Sequence, residues 1–173
     1  GKLYSGSNDN TIKIWNCSTD TLIKTLTGHT GDVDCLTIND GKLYSGSYDN
    51  SIKVWNCSNH ELIATLSVPE EHDEQGEYEG HTDYVVCLTI NDGKLYSGSF
   101  DKTIKVWDCS TNKLITTLTE HTDPVTRLLT HSSKLYSQAH NVIKVYDCSD
   151  DTLITTLEDH TGPVRCLKIH DGK

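Results

Sequence analysis

A histidine, a serine and an aspartate recur together along this chain, the side-chain types of a nucleophilic hydrolase triad. They stand at His29, Ser45 and Asp49, and again at His81, Ser97 and Asp101. A triad is needed once, at one site. Here the trio repeats and each set is followed by an indole, Trp55 and then Trp107. That recurrence is the mark of a structural network, so catalysis is not expected. The nine histidines raise the question of a metal. Four of them, His29, His81, His121 and His160, recur with the same spacing logic, the others scatter over turns, and no zinc-type spacing appears. YSGSYDN and its copies are rich in small residues but lack the lysine and following helix of a phosphate loop. No catalytic residue, metal or cofactor is expected.

The elements that would hold these residues are set by repetition. GKLYSGS begins at Gly1, Gly41 and Gly93, and a weaker copy, SKLYSQA, begins at Ser133. A period near forty residues must be settled before any motif is interpreted. Within one unit the alternation is two-residue: strands are expected around 33–38, over 42–47, 51–55 and 61–66, with turns at Asn39-Asp40-Gly41 and Tyr48-Asp49-Asn50. Four short strands make one antiparallel sheet. The weak fourth unit replaces the glycine and serine of the motif by Gln138 and Ala139, loses the aspartate near His140-Asn141, and carries Tyr146 in place of tryptophan. It is expected to be the least rigid.

The formal charge of −10 argues against duplex nucleic acid or an anionic membrane as partner. Six acids and no Lys or Arg lie in an insert at 68–79, for which a solvated loop is expected. No apolar run reaches the ~20 residues of a membrane span. The seven cysteines are odd in number, with no CxxC pair. They recur at Cys17, Cys57, Cys109 and Cys148 and at Cys35, Cys87 and Cys166, where Arg127 stands for a missing eighth. They read as small buried hydrophobes with free thiols in a reducing, cytoplasmic setting.

Gly28-His29, Gly80-His81 and Trp107-Asp108, with the variants Trp15-Asn16 and Trp55-Asn56, resemble the WD40 repeat. The flavour is similar to the WD40 domains of myosin heavy-chain kinases and TRAF-type ubiquitin ligases. The resemblance implies an all-β propeller of four four-stranded blades over 1–173. The first blade would hold three strands at 2–26 and take a closing strand from 164–169. It also implies a buried tetrad in each blade: His29, Ser45, Asp49 and Trp55; His81, Ser97, Asp101 and Trp107; and Ser5, Asp9 and Trp15 joined by His160. WD40 blades pack into rings of seven or eight, so four are expected to be half of an eight-bladed ring formed by a homodimer that completes a shared blade. A piece of a larger ring and a self-closed monomer are the alternatives.

The resemblance further implies a non-catalytic interaction scaffold that binds a peptide or partner protein through its rim. The rim residues would be Asp34, Tyr48, Tyr84, Val86, Phe100 and Arg165. Packing of Tyr48 and Phe100 on neighbouring turns is the plainer alternative. An acidic, aromatic rim suits a basic peptide better than a phosphorylated one. The competing reading is a purely structural, oligomer-forming fragment with no ligand of its own.

Overall fold

A computed structural model describes residues 1–68 and 79–170. The acidic insert therefore falls, over 69–78, outside the described residues. Fifteen strands follow one another: β1 (Lys2–Gly6), β2 (Ile12–Asn16), β3 (Thr21–Leu26), β4 (Val33–Asn39), β5 (Lys42–Ser47), β6 (Ile52–Asn56), β7 (Leu62–Leu66), β8 (Val85–Asn91), β9 (Lys94–Ser99), β10 (Ile104–Asp108), β11 (Leu114–Leu118), β12 (Val125–His131), β13 (Lys134–Ala139), β14 (Val142–Asp147) and β15 (Leu153–Leu157). They form four antiparallel sheets in sequence order. No described residue is helical, so no helix is long and apolar enough to cross a membrane.

Turn chemistry punctuates the strands where the sequence places it. Asp40 and Gly41 adopt φ 45° and 72°, and Asn50 adopts φ 66°. Asn and Asp tolerate this left-handed region because their short side chains bond their own backbone. In the turn after β5, Ser47 Oγ accepts from Asp49 N, and Asp49 Oδ1 accepts from Ser51 N and Oγ.

Two compact units divide the chain, Gly1–Val85 and Val86–Lys173. In the first, Ile12, Ile14, Leu26, Val33, Leu43 and Trp55 form one buried cluster between the sheets β1–β3 and β4–β7, with Tyr4, Leu36 and Cys57 against it. Gly6 allows the close approach: a Cβ there would lie 2.7 Å from Val33 O and 2.8 Å from its Cγ1. In the second unit Leu95, Tyr96, Ile104, Val106, Trp107, Val125 and Leu135 are buried. Gly98 is a slot of the same kind, facing Cys87 Sγ and Val125 Cγ1.

Three sheets have the expected four strands, but the first has three. Residues 164–169, expected to be its closing strand, belong to no sheet, and none of them is buried. A strand needs a ladder partner for its N–H and C=O groups, and this segment has none among the described residues. All seven cysteines are free, yet only Cys87, Cys109 and Cys148 are buried. Cys17 and Cys166 are exposed, the latter because its segment joins no sheet. Arg127 is exposed too, its guanidinium turned back onto Thr126 O at 2.6 Å rather than into the cysteine position.

Candidate functional site

Strand β5 sends Ser45 inward and the turn after it presents Asp49, while the loop before β4 supplies His29. His29 Nδ1 lies 2.7 Å from Asp49 Oδ2 and its Nε2 2.7 Å from Ser45 Oγ. Trp55 Nε1 donates to the same Ser45 Oγ at 2.9 Å. His29 and Trp55 meet edge to face, with centroids 6.4 Å apart. Gly28, at φ 149°, leaves room for the indole, since a Cβ there would sit 3.3 Å from Trp55 Cη2. Burial pushes the Asp49 carboxyl up, but the bonds from His29, Ser51 and the Thr30 amide outweigh it and hold the group well below the usual range. Both ring nitrogens of His29 are engaged, and Ser45 is wholly buried. A serine so placed has no route to a substrate, so this is a network that holds a sheet together.

In the sheet β8–β11, Trp107 Nε1 donates to Ser97 Oγ at 2.9 Å. Asp101 caps its turn with Thr103, and His81 is buried. The sheet β1–β3 has the Trp15 Nε1–Ser5 Oγ bond at 3.0 Å, and Asp9 bonds Thr11. His160, the fourth member expected there, is exposed and held through its carbonyl by Asn141 Nδ2. Its segment joins no sheet, so nothing presses the ring into a network.

The sheet β12–β15 keeps part of the arrangement. His121 Nε2 lies 2.6 Å from Ser137 Oγ, with no carboxylate bonded to its other nitrogen among the described residues. Burial, aided by Lys144, pulls His121 down to about 4. Tyr146 is buried, and its hydroxyl donates to Glu120 Oε2 at 3.3 Å. Gln138 is also buried: its Oε1 accepts from Thr126 Oγ1 at 2.8 Å and its Nε2 donates to His140 O at 2.8 Å. Glu120 and Gln138 escape a reading by motif. The signal that could have found Glu120 is its place before the histidine, where Gly28 and Gly80 stand in other repeats.

At the rim, Tyr48 and Tyr84 stack with centroids 4.3 Å apart and planes 1° apart. Tyr48 thus does pack on the neighbouring loop, while Tyr84 keeps 40% of its surface exposed. Tyr48 N donates to Asp32 O at 2.9 Å. Gly31 makes room for that turn, because a Cβ there would come within 2.8 Å of Tyr48 C. Burial first, then the charges of Asp34 and Asp32, raise the Tyr48 hydroxyl. Asp34 is the extra residue of a β-bulge, since Val33 pairs with Ser47 and Cys35 with Gly46; a bulge re-aims its side chain. In the second unit Phe100 and Arg165 are exposed. Val86, expected on the rim, is instead buried. Its apolar side chain is covered where Asp34, at the equivalent place, is not.

No group of three or more His, Cys, Asp or Glu able to hold a metal occurs among the described residues. The family model for the WD domain, G-beta repeat, matches residues 1–16, 20–56 and 73–108. The chain belongs to the WD40 repeat family. Mitochondrial division protein 1 of Eremothecium gossypii is 29% identical over 114 residues, covering 66% of this chain and 16% of that protein. A probable E3 ubiquitin ligase complex SCF subunit, sconB of Arthroderma benhamiae, is 51% identical over 41 residues, covering 24% of this chain and 6% of that protein. The chain thus spans a small part of the relatives it matches. Among solved structures, the computationally designed Ika8 protein is similar with a TM-score of 0.83 and 29% identity, over 98% of this chain and 50% of that one. A chain of the mitotic checkpoint complex, at 23% identity and a TM-score of 0.80, shares the fold. This WD40 chain is all-β with propeller blades, and its family membership implies a protein-interaction scaffold.

Proposed function

We propose that this WD40 chain is a non-catalytic scaffold that takes a protein or peptide partner on the rim around Tyr48 and Tyr84. The observation that carries the reading is the tyrosine stack, an aromatic surface held rigid by the Tyr48–Asp32 main-chain bond and by Asn50 Nδ2, which donates to Thr82 O at 3.3 Å. Rigid, partly exposed aromatics make binding anchors because little conformational entropy is lost when they are covered. Asp32 and Asp34 beside the stack favour a basic segment. Seven free thiols fit a cytoplasmic, reducing setting.

The test is an array of basic and phosphorylated peptides probed with the chain and with the double variant Tyr48→Ala, Tyr84→Ala. Basic peptides should bind, and the double variant should lose at least about tenfold in affinity with an unchanged circular dichroism spectrum. Undiminished binding by that variant would sink the rim reading.

A second reading is favoured by the unpaired segment 164–169. Val164 N donates to His140 O at 2.8 Å, just as Val33 N, at the head of β4, donates to Ser7 O at 3.0 Å. The segment enters as the first strand of a sheet does. It would complete the three-stranded sheet of a second copy, giving a homodimer of two half rings with eight sheets. The match of this chain to half of the Ika8 chain supports that arrangement. A mass of twice 19.3 kDa by light scattering is the expected result, and 19.3 kDa at every dilution would end the idea.

A further inference from the structure

One contact recurs between neighbouring sheets inside each unit. In the second unit Lys94 Nζ donates to Cys148 O at 2.9 Å and to Asp151 Oδ2 at 2.8 Å, while Tyr96 OH donates to Asp151 Oδ1 at 2.9 Å. In the first unit Lys2 Nζ donates to Cys57 O at 2.9 Å and lies 3.4 Å from His60 Nε2. Tyr4 beside it is pushed up to about 12 by burial and by Cys57. The pattern is a lysine and a tyrosine two residues apart on one strand of a sheet, β1 in the first unit and β9 in the second. They clasp the turn between the third and fourth strands of the next.

The clasped residue has the same backbone each time. His60 and Asp151 adopt φ 64° and 61°, and their turns are closed by His60 N to Asn56 O and Asp151 N to Asp147 O, both at 2.8 Å. Asp20 is built alike, with φ 54° and a bond from its N to Asn16 O at 2.8 Å. Its turn also begins with a cysteine, Cys17, and both residues are exposed. Cys148, in the clasped turn, is buried. The matching other half is Lys134 with Tyr136 on β13. Lys134 is exposed and Tyr136 only partly covered, whereas Tyr96 is fully buried. Neither side chain, nor that of Asp20, makes a hydrogen bond among the described residues.

We propose that Lys134 and Tyr136 of one copy clasp Asp20 and the Cys17 carbonyl of a second copy. The inference rests on the shared-sheet reading above. The segment 164–169 starts on the sheet β12–β15, so the sheet it completes becomes that sheet's next neighbour and brings its β2–β3 turn to β13. The charges are complementary, and the pair reproduces Lys94–Asp151, whose side chains are 22% and 6% exposed. A charge pair closed in this way sets which face meets which. The clasp therefore fixes the register of the joint, and the added strand supplies the hydrogen-bonded area.

The test uses the charge reversals Lys134→Glu and Asp20→Lys, both at exposed positions; Lys134 also faces Asp147 across the strand pair, so an unchanged circular dichroism spectrum is required of each variant. Mass by light scattering is followed across a dilution series. The unaltered chain should run at twice 19.3 kDa, and each variant alone should need at least about tenfold higher concentration to do so, because both of its joints carry like charges. An equimolar mixture should recover the double mass: one joint then pairs Lys134 with Asp20, and the other pairs the two reversed charges. Single variants that assemble like the unaltered chain would overturn the clasp and leave the shared sheet standing. An unaltered chain that stays at 19.3 kDa at every concentration would overturn both.

Discussion

The sheets β4–β7 and β12–β15 solve the same burial problem with different side chains. Both place a histidine on a serine, at 2.7 Å for His29 and Ser45 and at 2.6 Å for His121 and Ser137. In the first, a carboxylate fixes the other imidazole nitrogen and an indole closes the chain of bonds. In the second, the phenol of Tyr146 turns to Glu120. The changes belong together. Gly28 has the backbone glycine favours and touches the indole, whereas Glu120 takes an ordinary φ beside a smaller ring. A repeat can thus lose two members of its network and still bury its polar groups, provided a new acceptor arrives where the bulk was removed.

The largest way to break the comparison is to remove the rings. Trp55→Ala should cost about 3–5 kcal/mol, as the loss of a large buried side chain. It also strips a donor from Ser45. Tyr146→Ala should cost less, about 2–4 kcal/mol, since the ring is smaller and its bond to Glu120 is long at 3.3 Å. Urea denaturation of both variants measures the difference. Equal losses would mean that the two networks contribute alike.

A smaller effect comes from acid. His121 has its pKa lowered from 6.5 to about 4 in the folded chain, so the unfolded chain binds the extra proton first. Stability on this account is full above about 6.5 and falls as the pH drops towards 4. The loss between pH 7 and 5 should be about 1–2 kcal/mol. Asp49 runs on a different window: its carboxyl is depressed, so its contribution persists until the pH falls below the ordinary carboxylate range. Burial and Lys2 lower His60, in the β6–β7 turn, as well, so hydrogen exchange at pH 5, corrected for intrinsic rates, should show β12–β15 loosened more than β4–β7. Equal loosening of both sheets would contradict the split.

Much of this was legible in the residues. The period of GKLYSGS located the strands to within a residue or so, and the departures at Gln138, Ala139 and Tyr146 marked the odd sheet. What replaced the lost groups was not legible, because Glu120 reaches Tyr146 across 26 residues and Gln138 bonds Thr126 across a strand pair. Motif spacing carries the positions of side chains within a repeat, not the new partners a changed repeat recruits. Val86 shows the same limit at the rim. Its position in the repeat matches Asp34, but whether a side chain there is covered depends on its own polarity and on neighbours the repeat does not specify.

The finest test of the comparison is Gln138. Where the equivalent Gly46 stands, a Cβ would come within 2.6 Å of Cys35 Sγ and 2.8 Å of Val85 Cγ1. No such side chain fits there. In the fourth repeat the cysteine has become Arg127 and turned outward, which vacates space that the amide of Gln138 fills with two hydrogen bonds. Gln138→Ala removes those bonds and leaves Thr126 Oγ1 and His140 O without them, which should cost about 1 kcal/mol. Adding Arg127→Cys to Gln138→Gly restores the arrangement of the other repeats, and should return most of the stability that Gln138→Gly alone loses. A double-mutant cycle measures the coupling. Additive losses would mean that the two substitutions arose independently and that the fourth sheet is only a worn copy of the others.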